Sequence, residues 1–220
     1  DMLCIGENVL TAQLADGWYR GSIGAKGRTN TYGKQTKLFL QLEMIDEKGD
    51  KHCVLSDESF SWSNDGPIRF ADLKDGEIVD NNLEPSYSGQ AIISSEKYHL
   101  TESDNFAVKE MEEYKPIKKT ISSSGKQIFE LPFNIAGYIS FVVNGEENQK
   151  VFAVMGEMLD ENGNVSLKNI QCTHKGKLSP LQQISYTCTQ GRNEYKSKFF
   201  FGGFKYISID SEIDFEEEHE

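Results

Sequence analysis

The residues best suited to chemistry lie near the start of the chain, within the sequences DGWYRG at 16–21 and NTY at 30–32. Trp18, Tyr19 and Tyr32 supply aromatic faces that can stack on the apolar side of a sugar ring. Asp16 adds planar oxygens that accept hydrogen bonds from hydroxyl groups. These residue types predict carbohydrate binding. A structural interpretation remains beside it, in which Trp18 and Tyr19 are successive residues of a strand, one in the core and one outside.

Motifs for self-sufficient catalysis are missing. The sequence GSIG at 21–24 has the wrong spacing for a G-x-S-x-G nucleophile elbow, and Arg28 stands where a P-loop needs glycine before Gly33-Lys34. The histidines are scattered, and none has a partner four residues away for a metal: His52, His99, His174 and His219. We expect them to be structural or surface residues.

Carboxylates are frequent at 72–77 (DLKDGE) and 160–161 (DE), and a glycosidase needs two of them facing each other across a cleft. Both stretches have the composition of turns, where Asp, Asn and Gly serve the backbone conformation. The turn interpretation is therefore preferred to a catalytic pair.

Charge and composition exclude several partners. The formal net charge of −12 opposes binding to nucleic acid, which depends on Lys and Arg. There is no run of 18 apolar residues and no leader sequence, so we expect no membrane partner, and the location stays open between cytoplasm and secretion. The four cysteines have no C-x-x-C spacing and are expected to be reduced core thiols: Cys4, Cys53, Cys172 and Cys188.

The supporting elements are predicted to be strands. Alternation at 37–45 (KLFLQLEMI), the turn 46–50 and residues 52–55 predict a hairpin. A second hairpin is predicted from 139–143 and 151–155 around Asn144-Gly145, and a further strand at 199–209. Residues 95–113 are ambiguous between a short helix and an extended connector. The pattern predicts an all-β protein of two β-sandwich, jelly-roll-like domains, 1–105 and 106–220, the second with an acidic end.

An ordered series of motifs resembles bacterial α-L-rhamnosidases over nearly the whole chain. The first block is similar to their N-terminal β-sandwich domain, through GENVL at 6–10, DGWYRG at 16–21, NTYG at 30–33, SDESFSW at 56–62, GPI at 66–68 and DGE at 75–77. The second block resembles their concanavalin-like domain, through KP at 115–116, NIAGY at 134–138, EMLDENG at 157–163 and FGGFKY at 201–206.

The resemblance implies a piece truncated at its N-terminal side and followed by a catalytic α/α toroid that carries the general acid and base. It also implies that rhamnose-containing carbohydrate is the ligand, with Asn64, Asp65 and Glu77 joining the aromatic residues as candidate contacts. Some family members bind rhamnose through a calcium ion, which prefers oxygen ligands from loops. Asp16 and Asp65 are the candidate ligands, although no cofactor is required.

Three hypotheses follow. The first is a non-catalytic, accessory fragment of an α-L-rhamnosidase-like glycoside hydrolase, inactive by itself. The second is a stand-alone calcium-dependent sugar-binding module. The third is a structural or adhesive pair of domains without a ligand.

Overall fold

The computed structural model describes residues 4–101, 108–174, 176–210, 213 and 215. Within them, one helical turn, α1, spans Gly17–Arg20, and all other regular elements are strands. In chain order the strands are β1 (Gln41–Ile45), β2 (Lys51–Leu55), β3 (Ser61–Trp62), β4 (Ile68–Asp72), β5 (Gly76–Asp80), β6 (Gly89–Gln90), β7 (Lys118–Ile121), β8 (Gln127–Gly137), β9 (Ser140–Gly145), β10 (Lys150–Gly156), β11 (Met158–Leu159), β12 (Val165–Ser166), β13 (Cys172–His174), β14 (Lys177–Ser179), β15 (Gln183–Thr187), β16 (Gly191–Lys196) and β17 (Gly202–Asp210).

A seven-stranded sheet forms the centre of the molecule, with the order β4-β5-β15-β10-β17-β8-β7. Its neighbouring strands are antiparallel except for β5 and β15, which are parallel. A two-stranded sheet of β9 and β16 packs against it, with the Phe141 ring 5.6 Å from that of Tyr186. The prediction of an all-β protein with sandwich-like sheets is confirmed.

The core lies between these two sheets because their strands alternate in burial with period two. Strand β10 shows the pattern well: Val151, Ala153 and Met155 are fully buried, and the residues between them are partly exposed. Apolar side chains from both sheets complete the core, among them Val143 of β9 and Phe204 of β17. Burial of these side chains is the main force that holds the sheets together.

Strands from both predicted domains share the large sheet. Strands β4 and β5 precede residue 105, yet β5 pairs with β15, where Ile184 is opposite Glu77 and Tyr186 opposite Val79. Val79 also belongs to the core cluster of the second half. The predicted boundary between residues 105 and 106 lies outside the described residues.

The first predicted hairpin is confirmed by β1 and β2, which pair from Gln41 with Leu55 to Ile45 with Lys51. The second is wrong, because β9 pairs with β16 and β10 lies in the other sheet. Asn144 and Gly145 do not form the turn; they end β9, and a Cβ on Gly145 would lie 2.7 Å from the Cβ of Cys188. The turn follows, where Gln149 N–H donates to Glu146 O.

Two further expectations concern the cysteines and the ambiguous stretch 95–113. All four cysteines are free, but only Cys188 is buried, so the expectation of core thiols is wrong for Cys4, Cys53 and Cys172. In the ambiguous stretch, residues 95–101 and 108–113 form neither helix nor strand. In the described part of the chain, no helix is long and apolar enough to cross a membrane.

Candidate carbohydrate site

The main candidate site is a groove beside α1 with a volume of about 320 Å³, which we call the Trp18 groove. Three half-exposed aromatic rings form much of its wall, with Trp18 53% exposed. The lining residues that matter for binding are Leu14, Asp16, Trp18, Tyr19, Lys37 and Tyr98. The structure thus brings together three of the predicted contacts, Asp16, Trp18 and Tyr19.

A single helical turn, rather than a strand, presents the two neighbouring rings. Arg20 N–H donates to Asp16 O at 3.0 Å, and Gly21 N–H donates to Gly17 O at 3.1 Å. Because Trp18 and Tyr19 lie on this turn, the interpretation that they straddle a sheet is wrong. The Nε atom of Arg20 lies 2.9 Å from Asp16 Oδ1, but its N–H is not directed at the oxygen, so the contact is an ion pair.

Buried polar contacts fix α1 to the large sheet. The backbone N–H of Ser22 donates to Asp72 Oδ2 at 2.6 Å, and the Ser22 hydroxyl donates to Asp75 Oδ2 at 2.7 Å. The other oxygen of Asp75 accepts hydrogen bonds from the Ser179 hydroxyl and the Leu181 N–H. The chain that follows α1 is therefore joined to the β4–β5 turn and to the segment before β15.

Tyr32 lies beside α1 but outside the groove lining. Its N–H donates to Tyr19 O at 3.1 Å, and its side chain is 66% exposed. The following Gly33 permits the close approach of Tyr19, since a Cβ there would lie 2.1 Å from the Tyr19 hydroxyl oxygen. Sequence reasoning did not identify this role of Gly33.

Lys37 and Tyr98 also line the groove, and with Glu96 they form a contact that sequence reasoning missed, which we call the Lys37 clasp: Lys37, Glu96 and Tyr98. Lys37 Nζ pairs with the Glu96 carboxylate and donates to the Tyr98 hydroxyl at 2.8 Å. The same ammonium lies 5.0 Å from the centroid of the Tyr98 ring. Hydrogen bonds to Glu96, and secondarily to Tyr98, raise the pKa of Lys37 above its ordinary value.

The loop of Asn64 and Asp65 is held by contacts within the chain, and neither residue lines the Trp18 groove. Asp65 Oδ1 accepts hydrogen bonds from the Ser63 hydroxyl and from the Ser86 N–H, the second at 3.0 Å. Hydrogen bonds from Ser63 and then Ser86 hold the pKa of Asp65 below its ordinary range. Asn64 O accepts a hydrogen bond from Arg69.

Glu77 lies in the core, which corrects the prediction that it contacts carbohydrate. It is 1% exposed. Its carboxylate accepts hydrogen bonds from the Tyr195 and Ser197 hydroxyls and from three consecutive backbone N–H groups, at residues 198–200. A side chain so placed holds the loop after β16 and does not reach a ligand at the surface.

The other carboxylates of the candidate turns also have structural partners. Asp72 Oδ1 accepts the N–H groups of Lys74 and Asp75, and Asp160 Oδ1 accepts those of Asn162 and Asn164. These contacts are those of turn residues. They agree with the turn interpretation of both acidic stretches.

The two candidate calcium ligands do not fit a calcium ion in this arrangement. Asp16 is paired with Arg20, and Asp65 is hydrogen-bonded within its own loop. Calcium takes about six to eight oxygen ligands. Among the described residues, no group of three or more His, Cys, Asp or Glu side chains could hold a metal.

Comparison with known proteins matches both parts of the chain to one family. The model of the alpha-L-rhamnosidase N-terminal domain matches residues 1–120, and that of the bacterial alpha-L-rhamnosidase concanavalin-like domain matches residues 120–219. An alpha-L-rhamnosidase of Formosa agariphila is 24% identical over 95% of the chain, and one of Streptomyces avermitilis is 26% identical over 93%. The chain spans 23% and 20% of their respective lengths.

Solved structures give the same result. The crystal structure of an alpha-L-rhamnosidase from Aspergillus terreus is 27% identical, with a TM-score of 0.76 over 89% of this chain and 23% of that one. The Streptomyces avermitilis enzyme, solved in complex with L-rhamnose, is 25% identical, with a TM-score of 0.69 over 88% of this chain and 19% of that one. The motif series, the sandwich and these matches agree, and the chain belongs to the alpha-L-rhamnosidase family, of which it carries the N-terminal and concanavalin-like domains.

Proposed function

We propose that this chain is the accessory, non-catalytic part of an α-L-rhamnosidase-like glycoside hydrolase that removes terminal α-L-rhamnose. Its sandwiches support a catalytic α/α toroid in the same polypeptide, and the Trp18 groove contacts the rhamnose-containing carbohydrate. The family matches over residues 1–219 support the first part of the proposal. The relative solved with L-rhamnose supports the choice of sugar.

The observation that carries the accessory role is the burial of the carboxylates in the first acidic stretch, 72–77; in the second stretch Asp160 is bound to the backbone of its own turn. Asp72, Asp75 and Glu77 are 3%, 3% and 1% exposed, and each accepts hydrogen bonds from the protein. A glycosidase needs two carboxyl groups open to one cleft. Buried acids that hold turns and loops cannot serve a substrate.

An assay on an aryl α-L-rhamnoside tests this role. The chain of 220 residues is expected to show no turnover, whereas the longer polypeptide from the same gene is expected to hydrolyse the substrate. Turnover by the chain alone at the rate of the longer polypeptide would contradict the proposal. The presence of a toroid is tested separately by sequencing the gene. We expect the reading frame to encode several hundred residues with helical periodicity after residue 220.

A stand-alone sugar-binding module is the second candidate, and the open Trp18 groove favours it. Calorimetric titration with L-rhamnose, with and without calcium, together with the gene sequence after residue 220, distinguishes the two. Binding that requires calcium, in a protein whose gene encodes no toroid, supports the module. A gene that encodes the toroid supports the accessory role whatever the calcium dependence.

A further inference from the structure

We infer that the Trp18 groove takes the aryl aglycone of a rhamnoside rather than its sugar. The inference rests on the proposed function, which supplies a rhamnoside as the ligand, and it states which part of that ligand the groove contacts. Its basis is the juxtaposition of three rings, Trp18, Tyr19 and Tyr98, with charged side chains that already have partners in the chain.

The charged side chains of the groove lining already form ion pairs within the chain. A protein binds sugar hydroxyls with directed polar groups, and carboxylates are effective because one group can accept two hydrogen bonds. Asp16, the carboxylate of the lining, is paired with Arg20 at 2.9 Å. Lys37 is committed to Glu96 and to Tyr98 in the Lys37 clasp. A sugar hydroxyl would share either group with its present partner, whereas an aryl ring needs neither of them.

The remaining lining suits a flat apolar group. Trp18, Tyr19 and Tyr98 are 53%, 40% and 56% exposed, so each ring has a face open to solvent. Leu14, 51% exposed, adds an aliphatic side chain to the same groove. Aromatic rings attract one another in offset-stacked and edge-to-face arrangements, and an aryl group can use either. The groove volume of about 320 Å³ lies at the lower end of ligand pockets and suits one aryl group.

The Lys37 clasp holds the Tyr98 ring in the groove lining. Residues 91–101 form neither helix nor strand, so the backbone around Tyr98 is not fixed by a sheet. The Lys37 ammonium instead holds Tyr98, since it donates to the Tyr98 hydroxyl at 2.8 Å and lies 5.0 Å from the ring centroid. Lys37 therefore keeps Tyr98 in the lining that it shares with Trp18 and Tyr19, where an aryl ring can contact all three.

Calorimetric titration of the 220-residue chain with three glycosides tests the inference. The probes are para-nitrophenyl α-L-rhamnoside, para-nitrophenyl β-D-glucoside and methyl α-L-rhamnoside. The two nitrophenyl glycosides are expected to bind with affinities within about threefold of each other, and the methyl rhamnoside at least about tenfold more weakly. An equal affinity for the two rhamnosides, with no binding of the nitrophenyl glucoside, would overturn the inference and leave the proposed function standing.

Two tryptophan variants locate the site. Trp18→Ala is expected to weaken binding of the nitrophenyl rhamnoside at least about tenfold, and Trp62→Phe to leave it unchanged. Trp62 is a matched control because it is 48% exposed, packs on Gly89 and lies outside the groove lining. Tyr98→Ala, on a segment without regular structure, repeats the test where Trp18→Ala fails to fold. Full binding by both groove variants, or no binding of any probe by the unaltered chain, would also overturn the inference; the turnover assay of the longer polypeptide then decides the proposed function separately.

Discussion

Tyr195 donates a hydrogen bond of 2.9 Å to Glu77 across the sandwich, and so joins β16 of the small sheet to β5 of the large one. Burial, and secondarily the nearby Glu77 charge, raise the pKa of Tyr195 far above its ordinary value of 10.0. The tyrosine therefore keeps its proton, and with it the hydrogen bond to Glu77, beyond the pH at which an ordinary tyrosine titrates. The carboxylate it faces accepts four further hydrogen bonds from Ser197 and residues 198–200.

Glu77→Gln is expected to lower the free energy of unfolding by about 3 kcal/mol. The substitution replaces one carboxylate oxygen, which accepts hydrogen bonds, by an NH₂ group, which donates them. This group must then face hydrogen-bond donors of the protein, either the Tyr195 hydroxyl or those of Ser197 and residues 198–200. Urea unfolding followed by circular dichroism measures the change.

Tyr195→Phe is the matched control for Glu77→Gln. It removes a single hydrogen bond to a charged acceptor and is expected to cost about 1.5 kcal/mol. A loss for Glu77→Gln that is no larger than the loss for Tyr195→Phe would mean that the backbone donors of 198–200 contribute little.

Gly76→Ala is expected to destabilise the chain by more than about 3 kcal/mol, because two unfavourable effects combine. Gly76 has a φ of +112°, and a Cβ there would lie 1.7 Å from Gln183 O, at the start of the parallel pairing of β5 and β15. The same substitution at Gly125, with a φ of +83° and open space around its Cβ, isolates the backbone effect and is expected to cost about 1 kcal/mol. Thermal unfolding measures the loss of stability in both variants. Equal losses would mean that the clash with Gln183 O does not destabilise the protein.

Lys37→Met is expected to weaken binding of para-nitrophenyl α-L-rhamnoside by about threefold to tenfold, because Tyr98 loses the ammonium that holds it. Lys97→Met is the control, since it removes the same charge from the neighbouring segment without touching the groove lining. Because the ion pair is exposed, salt is expected to weaken binding by the unaltered chain and to leave the Lys37→Met variant unaffected. Equal weakening of binding by Lys37→Met and Lys97→Met would contradict the role of the Lys37 clasp.

Binding to the groove is expected to be constant from mildly acidic to mildly alkaline pH. The hydrogen bond from Lys37 lowers the pKa of Glu96 from its ordinary 4.5, so the clasp is complete above 4.5 and is lost as the pH falls through the lower value. The pKa of Lys37 is raised from 10.5, so the clasp is complete below 10.5 and is lost at higher pH. Titration calorimetry within this range tests the constancy, and measurements extended below pH 4.5 test the acidic limit. Glu96→Gln should abolish this limit, and a midpoint near neutral pH in the unaltered chain would contradict the assignment.

The local elements of this chain could be predicted from its sequence because their signals are local. The alternation in 37–45 and the polar turn after it were sufficient for the β1–β2 hairpin. The pairing of β9 with β16 could not be predicted in the same way, since it joins residues about fifty positions apart and depends on which sheet each strand enters. An Asn-Gly sequence indicates a tight turn only when both flanking strands lie in one sheet.

The candidate site shows the same division. Trp18 and Tyr19 could be proposed as ligand contacts from the sequence, because an aromatic side chain indicates stacking by its type alone. Lys37 and Tyr98 are 61 residues apart and carry no motif, so nothing in the sequence indicated that they meet. Glu77 was misassigned because a carboxylate beside a glycine turn looks exposed, whereas its burial is decided by the distant donors of Tyr195 and Ser197.

The parallel pairing of β5 with β15 makes the two halves of the chain depend on each other. The two family models meet at residue 120, yet five residue pairs from Gly76–Gln183 to Asp80–Thr187 connect the halves within one sheet. A protein cut at residue 120 would leave β15 without a neighbour on one side and expose a row of unpaired backbone groups. We therefore expect the two halves to melt in one cooperative transition, and to be exchanged between rhamnosidases by recombination only as an inseparable pair.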